Sequence, residues 1–179
     1  MTRCYKCKDG LMKRSVKPEH TEDLGGVVVK VINAVVVQTC TNCGEEMTAI
    51  PDMEGLARAT AIARALNPVC LQGREIKFMR RALDMTQKEF AEAMDLSAEH
   101  VSRWENDHKG VGEASERLVR HNICALLYKN VLTRAYDPAV IARMGFRKLV
   151  DGKVLPPIEM VRVRAPSDEC DASAWDQAA

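Results

Sequence analysis

The sequence predicts an α+β protein built in modules, with a small β module first and an all-α domain after it. Two observations predict this. Val27 to Val37 is rich in β-branched residues and is flanked by two C-x-x-C pairs, Cys4/Cys7 and Cys40/Cys43. Such a run reads as strand, bent near Asn33 and entered through a chain break at Gly25-Gly26. From Arg74 to Asn106, in contrast, apolar residues recur at helical spacing and are interrupted by cap signals.

Each C-x-x-C turn places two thiolates on one ion, with its backbone N–H groups aimed at the sulfurs. Two such turns together make a closed tetrahedral site, which suits structural zinc, as in a zinc-ribbon-like module over residues 1–50. Iron in a four-sulfur site fits the same spacing, and sequence does not fix the metal. The gap between the pairs is longer than in common ribbons, and a hairpin within it would close that distance. Asp9-Gly10 and Gly44 supply turn freedom beside the knuckles. With four sulfurs there is no open position for water, so the metal folds the module and does not catalyse.

Composition sets the bounds. The chain has 179 residues, a formal net charge of +1 and seven cysteines. Near-neutrality means there is no global basic field, so any nucleic-acid recognition depends on local placement. No apolar run approaches membrane-span length, and the polar, basic stretch from Cys4 to Arg14 does not resemble a secretion signal. The expected location is therefore cytoplasmic, nucleoid-associated when bound to DNA. An odd cysteine count there favours metal ligands and free thiols over disulfides.

Residues 51–73 read as a connecting helix and hinge. Leu56, Ala59, Ile62, Ala63 and Leu66 share one face of the helix, and Asn67-Pro68 stops it. Residues 74–135 then form the helical domain. Ile76, Met79, Arg80 and Leu83 carry its first stripe. Thr86 is an N-cap with Glu89 three residues on, a capping box, and Phe90, Ala91 and Met94 face the core. Ser97 caps a third helix that buries Val101 and Trp104. The second and third helices make a helix-turn-helix, whose second member can enter the DNA major groove.

The run M-T-Q-K-E-F-A-E-A-M-D-L-S-x-x-x-V-S-R-W-E-N over Met85–Asn106 resembles the Xre/Cro family, with its λ-repressor-like fold. That resemblance implies an ion pair between Arg80 and Glu105. The order of cysteine module, helix and S-R-W-E element is similar to the MqsA (YgiT-type) antitoxins over residues 1 to about 130. The likeness implies zinc on Cys4, Cys7, Cys40 and Cys43, and a ribonuclease toxin bound by the zinc module. It also implies a homodimer that represses its operon at a palindrome. Arg103 matches that family's base-reading arginine, while its usual asparagine partner falls at Glu99, which leaves the operator sequence open.

Arg103 has the best chemistry for a base contact, two parallel hydrogen bonds to guanine O6 and N7. Glu99 is read either as an acceptor from cytosine N4 or as a repeller of phosphate. His100 and Ser102 face the groove or its wall. Ser97, Thr86, Gln87 and Lys88 lie at helix starts, where backbone N–H groups favour phosphate, and Asn106 and Lys109 are placed to grip the backbone. Trp104 is core.

A helix from Glu113 to Ala135 offers Leu118, Val119, Ile123, Leu126, Leu127, Val131 and Leu132, part core and part dimer face. Residues 136–164 form a basic extension, with a short helix from Asp137-Pro138 and a hairpin around Asp151-Gly152. Residues 165–179, small and acidic, read as a disordered tail. No paired catalytic carboxylates or nucleophile–base pair are evident, so an enzyme is not expected. Two regulators fit: an antitoxin that represses its own operon, or a free-standing phage or mobile-element regulator without a toxin.

Overall fold

In the computed structural model, the residues described are 2–107, 110–128, 137–150, 153–164 and 173–178. The chain begins as a long hairpin, β1 (Met12–Asp23) against β2 (Val28–Cys40), pairing Met12 with Cys40 and Asp23 with Val28. Asn33, at φ 50°, and Ala34 face the single residue Pro18, so the register shifts there and the hairpin bends. This is the bend expected near Asn33. A short strand β3 (Glu46–Ala49) pairs with the outer half of β2. The hairpin thus brings the two cysteine pairs together across the long gap.

Among the described residues, six helices precede the chain's return to the sheet, and the first five follow β3 in succession. These five are α1 (Met53–Leu66), α2 (Gly73–Ala82), α3 (Gln87–Ala93), α4 (Ala98–Glu105) and α5 (Glu113–Leu127). Thr86 caps α3 through its own capping box with Glu89, and Ser97 accepts from His100 N–H at the start of α4. Gly73 opens α2 where it crosses the end of α4. A Cβ there would stand 2.2 Å from the Trp104 carbonyl oxygen, so the residue must be small. A sixth helix, α6 (Pro138–Ala142), packs on α5.

Three sequence expectations need correction. Residues 165–179 were expected to form a disordered tail, yet β5 (Ser173–Gln177) is a strand with Trp175 1% exposed. Burying an indole outweighs the low apolar content of the neighbouring residues. The hairpin expected around Asp151-Gly152 has its turn outside the described residues, and its two arms find other partners. Arg147 bridges to Val69, while β4 (Ile158–Arg164) pairs parallel with Val29–Ile32 of β2 and antiparallel with β5.

The connection between sheet and helices also differs from the expectation. The sequence predicts α1 as a connecting helix with one apolar face, but Leu56 and every residue from Ala59 to Ala65 are buried, enclosed by β4, β5, α2 and α5. The hinge at 67–73 is pinned. Arg64 donates to the carbonyls of Val69 and Cys70, and Arg120 to those of Ala65, Asn67 and Val69. Their partners are Glu75, bidentate to Arg64, and Glu116, which also accepts from Leu71 N–H. Buried carbonyls and guanidinium donors satisfy one another here. One apolar core runs from Val29 and Val31 through Leu56 and Ile76 to Trp104 and Ile123. A separate small cluster contains Cys4, Met12 and Cys40.

Candidate functional site

The four knuckle cysteines come together, with their sulfurs all within 4.8 Å of one another. Cys4 and Cys43 sulfurs are 3.7 Å apart, and those of Cys7 and Cys40 are 3.6 Å apart. A tetrahedral ion with sulfur at 2.3 Å requires edges of about 3.8 Å. The cage therefore fits a thiolate-bound metal. Backbone N–H groups prepare it: Gly10 donates to Cys7 at 3.4 Å and Asn42 to Cys40 at 3.4 Å. The Gly10 hydrogen bond draws the Cys7 thiol down to about 6. Those from Cys43 and Asn42 lower Cys40 as well. Thiolate is the form that ligates a metal.

One residue of this site, Asn42, escaped sequence reasoning, and Gly10 serves it for a different reason from the one expected. Asn42 reaches the Cys7 sulfur with its side-chain amide, at 3.8 Å. Gly10 is needed for room more than for turn freedom, because a Cβ there would lie 2.3 Å from the Cys40 sulfur. The positive φ in that turn belongs to Lys8. Its position just after a C-x-x-C pair was the available signal for Gly10. Nothing marked Asn42 except its place between ligands.

The second set of expected site residues lies around α3 and α4. Val101, Trp104 and Glu105 anchor α4, and the opposite face carries Glu99, His100 and Arg103, exposed, with Ser102 half-buried. Arg103 donates to Glu99 at 2.6 Å, and His100 Nδ1 meets Ser97 Oγ at 3.0 Å. Asn106 folds back on Ser102, donating to its carbonyl at 2.8 Å. Thr86 and Lys88 are exposed at the start of α3, with Lys88 4.0 Å from Glu92. Gln87 is different. Its amide donates to Glu105 Oε2 at 2.9 Å, so it completes a buried group with Arg80, whose Nε meets Glu105 Oε1 at 2.6 Å. Lys109 lies outside the described residues. The structure thus gathers Thr86, Lys88, Ser97, Glu99, His100, Ser102, Arg103 and Asn106 along two adjoining helices, and turns Gln87 inward.

Compared with known families, residues 2–121 match the model described as the antitoxin component of a bacterial toxin–antitoxin system, MqsA. The chain belongs to the MqsA antitoxin family. The match spans the cysteine cage, α1 and the helices through the middle of α5, and it ends before α6, β4 and β5. An MqsA antitoxin has a toxin as its partner, and a cage positioned to bind a metal ion sits inside the matched region. No curated protein matches the chain. Among the described residues, no helix is long and apolar enough to cross a membrane.

Proposed function

We propose that this MqsA-family chain is a dimeric, DNA-binding antitoxin that represses its own operon from a palindromic operator. Its front module is folded by zinc and receives the toxin. The observation that carries the DNA reading is the outward face of α4. Arg103 stands on a short helix fixed underneath by Val101 and Trp104, and its exposed guanidinium makes an i,i+4 contact to Glu99. A guanidinium in that position can exchange the carboxylate for a guanine edge. Thr86 and Lys88 beside it are placed for phosphate. Leu118, Leu126 and Tyr128 on and just beyond α5 leave apolar surface for a second copy. Two recognition helices one DNA turn apart then read a palindrome.

In vitro selection of bound DNA by the metal-loaded chain, with co-purification of a protein partner, tests both halves. The expected result is an enriched palindrome and a small toxin. Arg103→Ala should relax one base position, and equal losses on the operator and on random DNA would refute its role. A free-standing regulator without a toxin is the second reading, favoured by the segments beyond residue 121 that the family match does not cover. The absence of a toxin gene beside this one would select it.

A further inference from the structure

β4 and β5 lie outside the family match, and each of their sides is attached to a different part of the molecule. Along one side, β4 continues the sheet, pairing Ile158 with Val29 and Val161 with Ile32. On the other, the pair is seated on the start of α1. Trp175, 1% exposed, donates Nε1 to the carbonyl of Asp52, the N-cap of α1, at 3.0 Å. The Arg162 guanidinium lies 5.2 Å over the indole ring. It also reaches the Pro51 carbonyl at 3.4 Å and the Asp52 carboxylate at 3.8 Å. Met160, on the same strand as Arg162, is fully buried in the core.

The same sheet carries the four cysteines at its far end, and α1 packs on α2 and α5. A further attachment is the turn at Gly25-Gly26. A Cβ on Gly26 would stand 2.5 Å from the Arg74 carbonyl oxygen, so sheet and α2 meet backbone to backbone. Backbone pairing, an indole in the core and a guanidinium on its face together resist a swing of the sheet about residues 50–52. Loose attachment through a linker, the usual expectation for two small modules, has no such contacts.

We propose that β4 and β5 form an intramolecular strap that makes the cysteine-bearing sheet and the helical body one rigid unit. A protein seated on the cysteine module then acts at α4 through its fixed position, without any swing of that module. Trp175 and Arg162 are the positioning residues of the strap. The rigidity stands apart from the DNA reading, since tumbling is measured without any ligand.

The test is backbone ¹⁵N relaxation on the full, metal-loaded chain, comparing amides of β1 and β2 with those of α4 and α5. One shared rotational correlation time is expected for the unmodified chain, and two distinct times would overturn the proposal. Trp175→Ala should split them, with the sheet tumbling faster. A shared time in that variant, with the helical amides still dispersed, would also overturn it. Should Trp175→Ala unfold the helices, Arg162→Ala replaces it, because it removes the ring, Pro51 and Asp52 contacts and leaves the apolar fill. The same split is then expected, and an unchanged single time counts against the strap.

Discussion

Two Glu-x-x-x-Arg pairs on neighbouring helices have the same spacing and the same 2.6 Å closest contact. Glu116–Arg120 on α5 has side chains 3% and 0% exposed, whereas Glu99–Arg103 on α4 has 72% and 53%. Around Arg120, four main-chain carbonyls, the Met144 sulfur and the Phe146 ring complete the shell, and burial lowers its pKa. Its charge belongs to the fold: it closes the segment after α1 that would otherwise present unpaired carbonyls to the core. Around Arg103, Glu99 is the acceptor, and water competes for it. The difference teaches that an i,i+4 pair has no meaning of its own. What surrounds the guanidinium decides whether it is a fastener or a group free to change partners.

The comparison can be broken at its buried end first. Arg120→Ala should destabilise the chain by about 3–5 kcal/mol, because Glu116 and the carbonyls lose their partner in the core. Urea denaturation reads this, and a loss under about 1 kcal/mol would make the buried pair no more structural than the exposed one. At the other end, Arg103→Ala should leave the urea midpoint unchanged and lower affinity for the selected operator by about 1–3 kcal/mol. A shift of the midpoint would blur the contrast.

Smaller effects sharpen it. Thr86→Ala removes the side-chain cap of α3 and should cost about 1 kcal/mol in the same denaturation. Glu89, the other half of that box, is held below the usual carboxylate range by the Thr86 N–H. Its contribution is therefore full above the unfolded carboxylate pKa and is lost as pH falls through the lowered folded value. The loss caused by Glu89→Gln should accordingly shrink in acid, and a pH-independent loss would contradict the box. Smallest of all, Glu99→Gln should change stability by no more than about 0.5 kcal/mol, since an exposed helical pair contributes little. A larger loss would mean that Arg103 is already committed in the free protein. Cys124 gives a separate chemical check: burial pushes its thiol up to about 12, so it should resist alkylation after chelation has exposed Cys7.

Local chemistry was legible in the sequence, and long-range pairing was not. The cysteine spacing announced the cage, and Thr86 with Glu89 announced the start of α3, because each signal is complete within a few residues. The Arg80–Glu105 pair came from resemblance, and the structure contains it. Arg64 and Arg120 were unreadable, since a charged residue on a helix is ordinarily at the surface and only the tertiary fold encloses these two. Trp175 was hidden by acidic and small neighbours. The parallel partner of Val29–Ile32 sits more than a hundred residues away, and no periodicity links the two strands. The expected hinge failed for the same reason, as its fasteners come from α5 and from the Arg147 segment. The sequence places the polar Gln87 side chain outward, but the buried Glu105 carboxylate close by claims it.

The parallel pairing of β4 with β2 has a consequence for synthesis. Translation delivers Val29–Ile32 long before Ile158, so at ordinary elongation rates that strand waits roughly ten seconds for its neighbour. During that interval a row of amides and carbonyls lies bare on a valine-rich ribbon, open to another nascent copy on the same message. Crowded polysomes should therefore be the most dangerous moment in this chain's life, and slower initiation should raise its soluble yield.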